Sequence, residues 1–205
     1  VYIKANTNKS LLKQINNISK KAISAFKRNE IKEKQKRIKN SILKTSELDS
    51  IGINLTMSSG YKLFKKETKN KLWFQRETQK GSVNLLIYIL PLNKESPNLE
   101  KIVALRDSIG KAFVPGRNKD SYLITEKAYE PYFFNTKVSS LSAFETRGTW
   151  EVVNDYMAGP FLNYYIIDNK NNRALVIEGF VFSPSVRKRE YLVEIEAIIR
   201  SLKIL

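Results

Sequence analysis

The stretch that decides the fold is FLNYYIIDNKNNRALVIEGFVF, residues 161–182. It holds two runs rich in aromatic and β-branched residues, 161–168 and 173–182, separated by the polar loop NKNN at 169–172. Aromatic and β-branched residues favour strands, and a short polar loop between two such runs is typical of a hairpin. The stretch therefore predicts two antiparallel strands, and Pro184 ends the second of them.

The rest of the chain supplies further strands and two shorter helices. The run SVNLLIYIL, residues 82–90, is the most apolar and predicts a central strand that ends before Pro91. Asn98 caps a predicted helix over 99–113, and a last helix covers 185–202. Alternating or aromatic runs predict other strands at 51–57, 61–65, 72–78, 121–125, 144–147 and 150–153. Together these elements predict an α+β fold, in which an antiparallel sheet is layered with helices.

A long basic helix is predicted near the N-terminus, after a short strand over residues 1–5. Ser10 is its expected N-cap, and apolar residues then recur in steps of three and four at Leu12, Ile15, Ile18, Ala22 and Phe26. One helix of about 50 Å or two shorter ones would fit this spacing. We expect the first half to pack on the protein and the middle, 27–37, to project into solvent. Residues 1–50 thus form the predicted strand and basic helix, and residues 51–205 the predicted sandwich domain.

Positive charge is concentrated in this N-terminal part. The net charge of the chain is +16, and residues 1–44 hold 13 Lys and Arg residues against Glu30 and Glu33. This excess makes a polyanion or an acidic surface a candidate partner for the N-terminal part, and the alternative is a solvated, lysine-rich helix face. Specific recognition of nucleic acid is not expected, because base reading needs arginine and aromatic residues, and Phe26 is the one aromatic residue in 6–44. The candidate interaction residues of the helix are Lys20, Lys21, Lys27, Arg28, Lys32, Lys36 and Lys39.

Composition excludes several classes of enzyme. The chain has no cysteine and no histidine. Thiol nucleophiles, zinc–thiolate sites and disulfides are therefore ruled out. Catalytic triads and zinc sites that depend on histidine are excluded as well. We predict no catalytic residue, no cofactor and no metal site, and we expect the protein not to be an enzyme.

Four carboxylates are nevertheless candidates for a site, namely Glu145, Glu151, Asp155 and Glu178. A pair of carboxylates can perform acid–base chemistry or hold a hard cation. Strand alternation places Glu145 and Arg147 on one face of the sheet, however, and an arginine beside a carboxylate usually forms an ion pair. The sequence leaves open whether Arg147 pairs with Glu145 or with Glu178.

The segment ETRGTWEVVNDYMAGPF, residues 145–161, combines charges, aromatic residues and glycines. Within it, 154–160 predicts a turn, because Asn and Asp favour turns, glycine permits positive φ and Pro160 fixes φ. The turn could bind a ligand through its backbone or serve as a connector. We expect the segment to shape a surface that a partner recognises, with Arg147, Trp150 and Asp155 as candidate interaction residues.

Many short motifs lie in one order along residues 106–202. They are Arg106-Asp107-Ser108, Val114-Pro115-Gly116, SYLITE at 121–126, Glu145-Thr146-Arg147-Gly148, Trp150, Gly159-Pro160-Phe161, EGFV at 178–181, Ser183-Pro184, Lys188-Arg189 and LVEIEAIIRSL at 192–202. In this order they resemble an uncharacterised family of Bacteroidetes envelope lipoproteins, known only as a domain of unknown function. The resemblance implies a secreted, lipid-anchored protein whose acylated cysteine precedes Val1, and it carries no catalytic residues. A weaker likeness, through 58–61, 178–182 and 199–204, is to the PsbP/Mog1-like α/β/α sandwiches.

The leading functional expectation is a non-enzymatic, periplasm-facing lipoprotein domain of the outer membrane. It would act as an accessory or scaffold subunit of a protein complex in the cell envelope. The alternative is a module that binds an anionic envelope ligand, a lipid headgroup or a glycan, through the basic helix. A third hypothesis is an enzyme that uses Glu145, Asp155 or Glu178. No window of about 18 apolar residues predicts a membrane span.

Overall fold

A computed structural model describes residues 2–68, 70–93 and 95–205 of the chain. Its main feature is an eight-stranded antiparallel sheet in the order β2-β3-β4-β9-β8-β7-β5, with β6 also paired to β7. The strands are β2 Lys62–Thr68, β3 Lys71–Thr78, β4 Gly81–Pro91, β5 Leu123–Thr125, β6 Tyr132–Val138, β7 Leu141–Val152, β8 Ala158–Asp168 and β9 Arg173–Phe182. Two short strands, β1 Ile53–Asn54 and β10 Lys203–Ile204, form a separate pair.

The predicted hairpin of 161–182 is confirmed. Strands β8 and β9 pair from Phe161 with Phe180 to Asp168 with Arg173. The polar loop closes as a 3₁₀ turn, Asn169–Asn171, followed by Asn172 in the left-handed conformation with φ of 48°. Strand β9 also pairs along its whole length with β4, so the two most apolar runs of the sequence lie side by side at the centre of the sheet.

Helices cover both faces of this sheet. In the described part of the chain they are α1 Asn8–Ile38, α2 Ser46–Asp49, α3 Leu99–Phe113 and α4 Arg189–Ile199. On one face, Ile195 of α4 and Ile38 of α1 belong to a core that includes Leu85 and Ile177. On the other face, Phe113 of α3 packs against Trp73, with ring centroids 6.2 Å apart. The protein is therefore an α+β open sandwich, as the sequence predicts.

The N-terminal helix differs from the sequence-based expectation in two ways. It is one continuous helix of 31 residues, and its N-cap is Thr7, whose Oγ1 accepts a hydrogen bond from the Ser10 amide, so Ser10 is not the cap. Its last third packs on the protein and its first two-thirds project, the reverse of the expected arrangement. At about 100° per residue, Ile31 and Ile38 lie about 150° around the axis from the centre of the earlier apolar face, and it is their side of the helix that packs into the core with α4.

The strand predicted over residues 1–5 is not formed in its described part. Val1 lies outside the described residues, and residues 2–5 have no strand neighbour. A strand needs a neighbouring strand for its backbone amides and carbonyls. The edge strands of the main sheet are β2 on one side and β5 and β6 on the other, and residues 2–5 pair with none of them.

Candidate functional site

A cleft of about 750 Å³ lies between α1 and the sheet face formed by β6 and β7, beside α4. We call it the basic cleft. Its charged and aromatic lining comes from three α1 residues, three β6 residues and the floor, namely Lys27, Arg28, Lys32, Tyr132, Phe134, Lys137, Glu145, Arg147, Glu196 and Arg200.

The cations at the rim of the basic cleft are Lys27, Arg28, Lys32 and Lys137, and all four are exposed. None of them forms an ion pair with a described residue, whereas the other lining arginines do. Both acidic residues of α1 are directed elsewhere. Glu30 pairs with Arg189, and Glu33 lies on the far side of the helix, at about 170° from the centre of the cleft lining. The rim is therefore strongly positive.

The floor of the basic cleft is an ion-pair network whose charges balance. Arg147 binds Glu145 through Nε and donates from Nη2 to Glu196 Oε2 at 2.7 Å. Arg200 donates from Nε to Glu196 Oε1 at 2.8 Å and from Nη2 to the Tyr164 hydroxyl at 3.1 Å. Tyr164 in turn donates to Glu145 Oε2 at 2.6 Å. Two arginines and two glutamates cancel, so the positive charge of the rim is not neutralised from below.

This network lowers the pKa of Glu196 and accompanies a raised pKa of Tyr164. Burial by itself would raise the pKa of Glu196, but the charge of Arg147 and hydrogen bonds from both arginines lower it below the ordinary value. Burial, followed by the charges of Glu196 and Glu145, raises the pKa of Tyr164. Glu196 therefore stays ionised at neutral pH, and Tyr164 stays protonated. Such groups hold the floor in place and are poorly suited to proton transfer.

One prediction follows for Glu196. Because its folded-state pKa lies below its ordinary value of 4.5, its contribution to stability is present above that pH and is lost as pH falls through the lowered pKa. We expect Glu196→Gln to lower the free energy of unfolding by about 1–3 kcal/mol at pH 7, as for hydrogen bonds to charged groups. The gap between the two proteins should shrink as the pH falls below about 4.5 in urea titrations. A gap that is constant with pH would contradict this assignment.

An aromatic pair forms the apolar wall of the basic cleft. The rings of Tyr132 and Phe134 are stacked, with centroids 6.3 Å apart and planes inclined by 9°. Their side chains remain 72% and 48% exposed. Register explains their position, since Tyr132 lies opposite Arg147 and Phe134 opposite Glu145, so the rings stand directly beside the floor. Ile31 and Val138 extend this apolar surface.

The opposite side of α1 carries a second notable surface. Leu12, Ile15, Ile23 and Phe26 are large apolar residues that are 62%, 38%, 55% and 61% exposed. At about 100° per residue they lie within about 60° of one line along the helix, nearly opposite the side that lines the cleft. We call this surface the apolar ridge. The apolar periodicity of the sequence includes Leu12, Ile15 and Phe26 but not Ile23, and it wrongly predicts that these residues are buried.

The structure places the candidate residues of the sequence in four different settings. Lys27, Arg28, Lys32 and Arg147 line the basic cleft, whereas Lys20, Lys21 and Lys36 of α1 and its C-cap residue Lys39 are exposed outside it. Trp150 is 1% exposed and packs edge-on against Phe180 on the other face of the sheet, so it is a core residue and offers no surface to a partner. Asp155 pairs with Arg117 at 2.7 Å in the turn after β7.

The four carboxylates do not form one site. Glu145 stands on the α4 face beside Tyr164, while Glu178 stands opposite Asn163 on the α3 face and pairs with Arg106 at 2.9 Å. The open question about Arg147 is thus resolved in favour of Glu145, together with Glu196. Among residues 2–68, 70–93 and 95–205, no group of three or more acidic side chains could hold a metal ion.

Sequence reasoning missed five lining residues, Tyr132, Phe134, Lys137, Glu196 and Arg200. The alternation along YFFNTKV places Tyr132 and Phe134 on one face, which is a usable signal. The pairing of β6 with β7 brings Tyr132 and Phe134 next to Arg147, and the sequence of neither strand predicts that pairing.

Comparison with protein families identifies the chain. A model described as a domain of unknown function (DUF4837) matches residues 35–201. The chain belongs to this family. The DUF4837 match covers the sheet, α2 to α4 and the last turn of α1, and it begins after the apolar ridge and after Lys27, Arg28 and Lys32.

Other comparisons add little about function. No curated protein matches the chain. A solved structure described as a mutant of the protein Mog1 is 8% identical, with a TM-score of 0.41, and the match covers 75% of this chain and 90% of that one. Within the described ranges, every helix is too short or too polar to cross a membrane.

Proposed function

We propose that this DUF4837 protein is a non-enzymatic accessory or scaffold subunit of a protein complex in the cell envelope. The observation that supports a docking role is the apolar ridge of α1. Four large apolar side chains stand exposed along one side of a projecting helix, in two pairs whose members are three residues apart, with eight residues from one pair to the next. Contiguous exposed apolar surface is uncommon on monomeric proteins and often marks an interaction site.

The spacing of the ridge suits a helical partner. Leu12, Ile15, Ala22 and Phe26 occupy positions of the a/d pattern of a two-stranded helical seam, in which Ser19 completes the steps of three and four and Ile23 lies beside Ala22. The seam spans about 21 Å at 1.5 Å per residue. From Lys9 to Arg28 the chain carries six basic residues and no acidic one, so a second copy of α1 would be repelled. The partner that fits is an amphipathic helix with an acidic polar face.

The chemistry of the interior supports a non-enzymatic role. The carboxylates that could have served as acids or bases are held in ion pairs with arginines, Glu145 and Glu196 on one face and Glu178 on the other. The placement at the envelope rests on the resemblance to Bacteroidetes lipoproteins. It is part of the proposal that a lipid-modified cysteine upstream of Val1 anchors the protein in the outer membrane, with this domain facing the periplasm.

The docking role is tested by purification of the tagged full-length protein from native membranes. We expect the wild type to co-purify with a stoichiometric partner. The double variant Ile15→Ser/Phe26→Ser should recover at least tenfold less of that partner. The matched control is Tyr129→Ser/Tyr156→Ser, which removes two exposed aromatic side chains away from the ridge. Recovery of the wild type as a free monomer, or equal recovery of partner by the ridge variant, would contradict the proposal. Labelling with an alkynyl fatty acid tests the anchor separately.

A second candidate function is the binding of an anionic envelope ligand, a lipid headgroup or a glycan, through α1. The unpaired cations of the helix favour it. The test is binding to liposomes that contain phosphatidylglycerol, or to an anionic glycan, by the wild type and by a variant in which Lys20, Lys21, Lys36 and Lys39 are all changed to glutamate. Binding that is unchanged by this reversal would exclude attraction by the outer lysines.

A further inference from the structure

We infer that the basic cleft binds a phosphate ester with an apolar substituent. This inference deepens the second candidate function, on which it rests, because it assigns anion binding to one site and one class of ligand. The DUF4837 family description assigns no site and no ligand to this part of the chain.

The positive charges of the rim converge on the basic cleft. Three of the rim cations come from α1 and the fourth, Lys137, comes from β6, so they surround one cleft instead of following a line. The balanced floor cancels none of their charge. A linear polyanion would gain as much from the outer lysines of α1, whereas a compact anion inside the cleft meets cations from both walls. A phosphate group suits this arrangement because it carries up to two charges and several acceptor oxygens.

The floor of the basic cleft contains an arginine, Arg147, whose side chain is already held in place. Arg147 uses Nε and Nη2 in its ion pairs, and its Nη1 has no hydrogen-bond partner among the described residues. Glu145 and Glu196 fix the orientation of this guanidinium, since both carboxylates are engaged by it and by Arg200. A donor that is already held in place binds an anion without ordering a flexible side chain. Arg147 is therefore the positioned donor at the base of the site.

The apolar wall of the basic cleft selects among anions. Tyr132 and Phe134 expose their stacked rings to the same cleft, beside Ile31 and Val138. Inorganic phosphate would leave this wall in water, while an ester with an aromatic or alkyl group would cover it. The volume of about 750 Å³ is of the size that holds a small organic ligand. The wall and the rim together thus specify an amphiphilic phosphate.

Calorimetric titration of the full chain at low salt tests the inference with three probes, namely phenyl phosphate, n-hexyl phosphate and inorganic phosphate. We expect one or both esters to bind at least tenfold more tightly than inorganic phosphate. The variant Tyr132→Ser/Phe134→Ser should remove this preference and leave the binding of inorganic phosphate within threefold of the wild type. No ester binding by the wild type would overturn the inference.

Matched charge variants separate the cleft from general attraction. Lys27→Gln/Arg28→Gln/Lys32→Gln removes three cations from the rim, and Lys20→Gln/Lys21→Gln/Lys36→Gln removes three from the same helix outside it. The rim variant should weaken ester binding at least tenfold, and the outer variant less than threefold. Equal losses would overturn the cleft as the site while leaving anion binding by α1 intact. Binding to phosphatidylglycerol liposomes that depends only on the outer lysines would likewise overturn the cleft but not the second candidate function. A wild-type protein that binds neither the esters nor the liposomes would overturn both the cleft site and the second candidate function.

Discussion

Replacement of Arg106 by methionine is expected to lower the free energy of unfolding by about 3–5 kcal/mol, the cost of breaking a buried ion pair by removing one partner. Arg106 and Glu178 are 2% and 1% exposed, and their closest atoms are 2.9 Å apart. Arg106 also donates to Thr125 Oγ1 at 2.8 Å and lies 3.8 Å from the centre of the Phe161 ring. Without the guanidinium, a buried carboxylate loses its counter-charge, and the α3 face of the sheet loses the residue that joins α3 to β9 and β5.

Urea denaturation at pH 7 measures this effect, and a second substitution identifies its cause. The double variant Arg106→Met/Glu178→Gln removes the charge that the single variant leaves unpaired, so we expect it to be more stable than Arg106→Met alone. Arg117→Met is the control, because Arg117 pairs with Asp155 at the surface and its side chain is 67% exposed. We expect little change there. A double variant that is no more stable than the single one would show that lost packing, and not the uncompensated charge, causes the damage.

Gly159→Ala is expected to be the most damaging single methyl substitution in the segment 145–161. A Cβ at position 159 would lie 2.1 Å from the carbonyl oxygen of Val181 and 3.0 Å from Trp150 Nε1. Backbone cannot rotate away as a side chain can, so β8 would have to separate from its neighbours. Overpacking of this kind typically costs about 1–3 kcal/mol, and we expect the upper end of that range or more because the obstacle is main chain.

Thermal unfolding of Gly159→Ala against the neighbouring control Ala158→Ser checks this prediction. Ala158 begins β8 and is exposed, so one added atom there meets solvent. We expect the control to unfold at nearly the wild-type temperature and the glycine variant to unfold several degrees lower. Equal unfolding temperatures would mean that β8 tolerates the added carbon. This role of Gly159 differs from the sequence-based interpretation, in which it permits positive φ in the turn; the turn instead places Asn154 at φ of 58°, and Gly159 already belongs to the strand.

Local pattern predicts most of the sheet, and the reason is visible in the hairpin of 161–182. Its two strands are adjacent in sequence, so composition and loop length are enough to pair them. The pairing of Arg106 with Glu178 is different, because 72 residues separate the two and only the docking of α3 brings them together. Arg106 is buried because Glu178, on another element, supplies its counter-charge, and the pattern of α3 by itself cannot show this.

The candidate site is predictable in part for the same reason. Lys27, Arg28 and Lys32 are recognisable from the charge of the helix, and Arg147 from its spacing to Glu145. Periodicity shows that α1 has an apolar face but not whether anything covers that face, and this is why the sequence predicts the packed and projecting portions in reverse. Tyr132 and Lys137 belong to the cleft only because β6 lies beside β7 and under α1.

The attachment of α1 to α4 sets the distance between the apolar ridge and the sheet, and it also positions the ridge and the basic cleft. Near its C-terminal end the helix is fastened to α4, where Gln35 Nε2 donates to the Ala197 carbonyl at 2.9 Å and Lys34 pairs with Glu190 at 3.3 Å. From Ile38 back to Leu12 the axis runs about 39 Å, at 1.5 Å per residue. A partner bound to the apolar ridge, as we propose, would therefore be held at a fixed distance from the sheet, and the number of helical turns in α1 would set that distance. Removal of two turns would shorten that reach by about 11 Å and leave the sandwich itself untouched.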